Sequence, residues 1–92
     1  MKTWLVKDLS HLTHVSVQTL HYYDRIGLLK PSSRLHNGYR VYSEKDLLTL
    51  QQITALKYFG FSLVEIKRIV EGKVDAFKHF EVQAKLLEEK AQ

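Results

Sequence analysis

Residues 16–29 read SVQTLHYYDRIGLL. Ser16 is suited to start a helix, because its hydroxyl can accept a hydrogen bond from a backbone N–H one turn further in. Gly27 is suited to end it, because a left-handed stop residue carries no Cβ penalty at glycine. Between them Val17, Leu20 and part of Tyr23 supply an apolar stripe. Gln18, His21, Tyr22 and Arg25 stand at i, i+3, i+4 and i+7 and therefore share the other face. That face suits a DNA major groove. Gln can pair with adenine, Arg with guanine or phosphate, and Tyr and His with phosphate oxygens or a thymine methyl. Ser16, at the helix N-terminus, is placed to meet a phosphate, and Thr19 is a further candidate DNA contact. A solvated amphipathic helix with aromatics at its edge has the same spacing, so the neighbouring segments must decide.

Upstream, Trp4–Val6 is a short apolar run with the character of an edge strand. From Lys7 to Thr13 the pattern turns helical, with Leu9, Leu12 and Val15 on its inner side. His14 falls where a tight turn is needed and is among the residues that tolerate positive φ. Two helices joined by so short a turn make a helix-turn-helix.

Downstream, Leu28 and Leu29 close the core and Pro31 ends regular structure. Asn37-Gly38 is flanked by extended, basic sequence, which predicts a β-hairpin with a type I′ turn and its tip at His36–Gly38. Arg34 and Arg40 flank the tip, with Tyr39 and Tyr42 interleaved. A basic ribbon after a helix-turn-helix reads as a wing on the phosphate backbone, with Arg34, His36, Asn37, Gly38, Tyr39 and Arg40 as its contacts. An ordinary edge hairpin guarded by arginines is the plainer alternative.

Ser43 and Asp46 then form a capping-box-like start for a third helix, with Leu47, Leu50, Ile53 and Leu56 inward and Gly60 as its stop. Ser62 and Glu65 open a fourth, with Leu63, Ile66, Ile69 and Val70 inward and Gly72 as its stop. A fifth helix is expected after Asp75. Phe77, Phe80, Ala84, Leu87 and Ala91 alternate in threes and fours, the seam of a coiled coil, and are the expected dimerisation residues.

The 92 residues are 45% hydrophobic and 26% charged, which points to one folded domain rather than a disordered chain. Residues 1–45 hold seven Lys/Arg against three Asp/Glu and four of the five histidines, whereas residues 46–92 hold seven of each sign. A basic half joined to a neutral half suggests a polyanion-binding surface attached to something else. The absence of cysteine excludes disulfides and thiolate metal sites. No run approaches the ~20 apolar residues of a membrane span, and the N-terminus lacks the apolar run of a signal peptide. A cytoplasmic, nucleoid-associated protein is expected.

The motifs VSVxTLxYYDRIGLL, NGYRVYSEKDL and LKYFGFSLVEIKRIV, in this order over about residues 3–71, resemble the DNA-binding domain of the MerR family of bacterial transcription regulators. Within that family the chain is most similar to the drug-responsive TipA-like branch. The resemblance implies a mainly α winged helix-turn-helix over residues 1–72, with a small β-hairpin wing. Residues 73–92 would be a linker and the start of a dimerisation helix. It further implies a homodimer on an inverted-repeat operator in double-stranded promoter DNA, a distorted promoter spacer, and RNA polymerase as a partner. Gln18 and His21 stand where the family usually has arginine, which should weaken phosphate binding and its salt dependence. His14 stands where glycine is usual. The family's effector-binding domain is absent from this sequence, so a small-molecule inducer is expected to act only through a domain outside it. The uncapped last helix points to a piece of a longer regulator.

Three other classes compete. A small excisionase-like protein would bend DNA without contacting polymerase. A protein-interaction module would account for the last helix but not for the basic wing. An enzyme would need groups that this sequence does not assemble. His11 and His14 have a metal-like i, i+3 spacing with only Asp8 nearby, and Asp24 beside Arg25 reads as a local charge pair or helix-end partner rather than a catalytic acid. There is no Gly-rich phosphate loop, and 92 residues leave little room for a pocket of about 300 Å³. No enzyme activity, metal or cofactor is therefore expected.

Overall fold

A computed structural model describes residues 2–73; the Asp75 cap and the seam from Phe77 to Ala91 lie outside the described residues. The chain runs β1 (Thr3–Leu5), α1 (Val6–Thr13), α2 (Val17–Arg25), β2 (Ser33–Arg34), β3 (Arg40–Ser43), α3 (Glu44–Tyr58) and α4 (Leu63–Val70). The first strand is shifted by one residue from the expected Trp4–Val6 to Thr3–Leu5, and Val6 instead opens α1.

The helix boundaries follow local chemistry. Ser16 Oγ accepts from the Thr19 N–H at the start of α2. Full capping boxes, Ser43 with Asp46 and Ser62 with Glu65, open α3 and α4. Helix α2 ends at Gly27, whose φ of 75° lets the Leu28 N–H turn back to the Tyr23 carbonyl at 2.8 Å. The Gly27 N–H meanwhile reaches the Asp24 carbonyl, completing a Schellman stop. His14 closes α1 with φ 61°, as its position predicts, and its N–H reaches the Ser10 carbonyl.

The three strands form one antiparallel sheet in the order β1-β3-β2. Thr3 pairs with Ser43 and Leu5 with Val41 on one side of β3. Ser33 pairs with Val41 and Arg34 with Arg40 on the other. The wing is thus built onto the N-terminal strand rather than being a free hairpin. Its turn differs from the expected type I′. Leu35 and Tyr39 bracket a three-residue loop, with the Gly38 N–H on the Leu35 carbonyl and the Leu35 N–H on the Tyr39 carbonyl. Gly38 has positive φ and Asn37 does not. The pair is therefore shifted by one position, and the glycine takes the left-handed place that follows a tight turn in three-residue hairpins.

Leu9, Leu20, Tyr23, Leu28, Leu29, Tyr42, Leu50, Ile53, Phe61, Ile66 and Ile69 make the core, so all four helices and β3 contribute. Two residues depart from expectation. Tyr42 lies wholly in the core rather than among the wing arginines, because it alternates with Val41 across the pleat. Leu12 is half exposed, at the edge of an apolar groove of about 580 Å³ whose walls include Leu47, Ala55, Tyr58 and Phe59. Among the described residues no helix is long and apolar enough to cross a membrane.

Candidate nucleic-acid interface

The face of α2 opposite the core is arranged as its spacing predicts. Gln18, Tyr22 and Arg25 are exposed, while Leu20, Tyr23 and Asp24 are buried. The Arg25 guanidinium lies 5.7 Å from the Tyr22 ring centre, a cation–π arrangement that holds the two side chains together at the end of the helix. Ser16 Oγ donates to Thr19 Oγ1 at 2.8 Å and also accepts from the Thr19 N–H, so these two residues fasten the helix start to itself.

His21 differs from the rest of this face. It is half-buried and lines a cleft of about 250 Å³ with Leu5, Val6, Gly38, Tyr39 and Arg40. The cleft places α2 and the wing side by side on one surface, with the β1–α1 junction between them. The remaining wing residues, Arg34, His36, Asn37 and Tyr39, are exposed. Asn37 Oδ1 accepts from the Tyr39 N–H at 3.2 Å, so the Asn37 side chain shapes the tip.

Asp24 corrects the reading of the sequence. Its partner is not Arg25 but the wing. Asp24 Oδ2 accepts from Arg34 Nη2 at 2.8 Å and from Arg40 Nε at 2.7 Å. The carboxylate side chain is only 9% exposed, against 47% for Arg34 and 28% for Arg40. Burial alone pushes this carboxyl up, but hydrogen bonds and charge from Arg40 and Arg34 outweigh it and hold Asp24 below the ordinary carboxylate range. The two wing arginines are therefore oriented by a group on α2.

Two further supports carry no signal in the sequence. Lys67 Nζ on α4 donates to the Ile26 carbonyl at 3.1 Å, a cation at the C-terminus of α2 supplied from 41 residues away. Asp46 Oδ2 accepts not only from the Ser43 N–H but also from the Ser32 N–H and hydroxyl, at 2.9 and 2.6 Å. That carboxylate ties the segment entering the wing to the helix leaving it. Among the described residues no group of three His, Asp or Glu converges on a point that could hold a metal ion.

A helix-turn-helix whose second helix shares one face with a basic β-ribbon is the architecture of winged helix-turn-helix proteins. The model described as "MerR HTH family regulatory protein" matches residues 5–73, and the chain belongs to that family, one of regulators rather than enzymes. The chain is 41% identical over 86 residues to the HTH-type transcriptional activator TipA of Streptomyces coelicolor, covering 92% of this chain and 34% of TipA. The solved N-terminus of the Bacillus subtilis multidrug transporter activator, MtaN, superposes with a TM-score of 0.86 at 41% identity, covering 97% of this chain and 85% of that one. HiNmlR, a MerR family regulator lacking the sensor domain and solved bound to promoter DNA, superposes with a TM-score of 0.78 at 28% identity, covering 98% and 81%. The chain spans about a third or less of the length of the curated relatives it matches.

Proposed function

We propose that this chain is a sequence-specific DNA-binding transcription regulator. It binds an inverted-repeat operator in double-stranded promoter DNA as a homodimer and distorts the promoter spacer for RNA polymerase. The observation that carries this reading is the shared cleft, which sets His21 of α2 against Tyr39 and Arg40 of the wing. One arm enters the major groove with Gln18, Tyr22 and Arg25, while the other lies on the flanking backbone. A domain of this kind needs no sensor to meet DNA, since HiNmlR lacks one and is bound to promoter DNA. The residue pattern from Phe77 to Ala91 and the apolar groove beside Leu12 and Tyr58 support a dimer. In such a dimer two copies of α2 meet half-sites about one helical turn, or a multiple of it, apart.

Selection from a random DNA pool, followed by a salt titration of the winner, tests the reading. An inverted repeat should emerge, with a log–log salt slope of several units, about 0.9 per phosphate contacted. Enrichment of no sequence would remove sequence-specific regulation. A single, non-repeated half-site would remove the dimer.

A further inference from the structure

We propose that Asp24 is a positioning residue that restrains the wing arginines, limiting the chain's affinity for DNA in general and widening its preference for particular sequences. The proposal rests on the reading of the wing as a phosphate-binding arm.

The geometry has two consequences. A single oxygen, Oδ2, receives a donor from each strand of the wing, Arg34 on β2 and Arg40 on β3. Both strands are thereby latched to the last turn of α2, which sets the angle between the arm that reads bases and the arm that lies on the backbone. Phosphate contacts fix register and orientation, and base contacts are discriminating only when that register is fixed.

The second consequence is electrostatic. Asp24 and the two guanidiniums carry one net positive charge together, where the wing alone would carry two. General binding to DNA is governed by the number of phosphates neutralised and the counterions released. A carboxylate beside the wing lowers that component for every sequence. Arg40 donates to Asp24 through Nε, so its two terminal nitrogens stay outside this bond while the plane of the guanidinium is held. Orientation is kept and net charge is reduced, which favours discrimination over bulk affinity.

A purely structural ion pair would behave differently. Neutralising it would shift binding to every sequence alike and leave the ratio between two duplexes unchanged. The experiment uses the full chain and two duplexes, one enriched from a random pool and one of the same composition in shuffled order. Asp24→Asn removes the charge at nearly constant shape. It should bind the shuffled duplex several-fold more tightly, with a salt slope steeper by about one unit, and the ratio between the duplexes should fall about tenfold or more. Adding Arg34→Gln to that variant restores the charge and should return the slope to its starting value. Asp24→Glu keeps the charge but changes the reach. It should leave the slope alone while still lowering the ratio, and it provides a second reading should the Asn variant be poorly folded by thermal melting.

Unchanged affinity and slope for the shuffled duplex in a folded Asp24→Asn variant would overturn the proposal, as would an unchanged ratio between the duplexes in Asp24→Asn or Asp24→Glu, or a steeper slope in Asp24→Glu. The underlying reading fails separately. If Arg34→Gln with Arg40→Gln leaves shuffled-duplex binding and slope untouched in an otherwise unaltered chain, the wing does not lie on phosphates.

Discussion

Helix α2 and the wing share one cleft, yet they hold their cations differently. Arg25 on α2 rests against the Tyr22 ring and has no carboxylate partner among the described residues. Arg34 and Arg40 share the carboxylate of Asp24, and even the wing tip is tied, through Asn37. A cation stacked on a ring keeps more freedom to adjust to a base edge than one bonded to a carboxylate. One that must set register gains from being fixed beforehand, because less ordering remains to be done on contact. On the proposed function, the contrast divides the labour of the surface: α2 would read, and the wing would place α2 where it can read.

The strongest way to break this contrast is to remove the latch. Asp24→Asn should lower stability by about 1.5–3 kcal/mol at neutral pH, the usual range for hydrogen bonds to charged groups. The effect should depend on pH with a definite sign. Asp24 titrates lower in the folded chain than in the unfolded one, so the pairing stabilises fully above the ordinary carboxylate value near 4 and is lost as pH falls through the depressed value. Denaturant midpoints of the two proteins, followed by Trp4 fluorescence, should differ at pH 7 and converge in strong acid. A constant gap across that range would mean that the charge of Asp24 is not what holds the wing.

Paired substitutions of arginine sharpen the contrast further. Arg25→Ala should cost binding about 1–3 kcal/mol, unevenly between sequences, while stability changes by less than about 1 kcal/mol. Arg40→Ala should weaken binding to all sequences, flatten the salt slope by about one unit, and also lower the melting temperature, because it strips a donor from Asp24. Equal losses of stability in both variants would erase the distinction between a cation stacked on a ring and one held by a carboxylate. Next in size is Lys67→Ala, which leaves the Ile26 carbonyl without its side-chain donor. It should cost about 0.5–1.5 kcal/mol of stability with little change in salt slope, since this cation serves the end of α2 rather than DNA.

The same division marks what could be read from the sequence. Caps and stops are local, so Ser16, the two Ser-x-x-acid boxes and the left-handed His14 all stand where the pattern puts them. The exposed face of α2 was legible because 3.6-residue periodicity alone decides it. The wing's position was legible, but its turn class was not. Asn-Gly fits two loop lengths, and the pairing of Leu35 with Tyr39 selects the longer. The partners of Asp24 lie 10 and 16 residues away, and the partner of Lys67 lies 41 away. Nothing in a single sequence distinguishes those arginines from Arg25 next door. The groups that aim the reading surface were thus harder to see than the surface itself.

The smallest expected effect concerns a residue that joined the wing by sequence and the core by structure. Tyr42 has no exposed surface, and its hydroxyl has no hydrogen-bond partner among the described residues. Burial pushes its phenol above the ordinary tyrosine value, against the pull of Arg40, so the neutral form is the relevant one at every ordinary pH. If Tyr42 served the wing through that hydroxyl, Tyr42→Phe would weaken DNA binding as an arginine loss does. A purely packed ring predicts otherwise. The substitution keeps the volume and removes a polar atom that finds no partner among the described residues, so stability should hold within about 1 kcal/mol or rise. Binding and salt slope should not move. A clear loss of affinity at unchanged stability would return Tyr42 to the wing, and the boundary between the part that is held and the part that holds would have to be redrawn through β3.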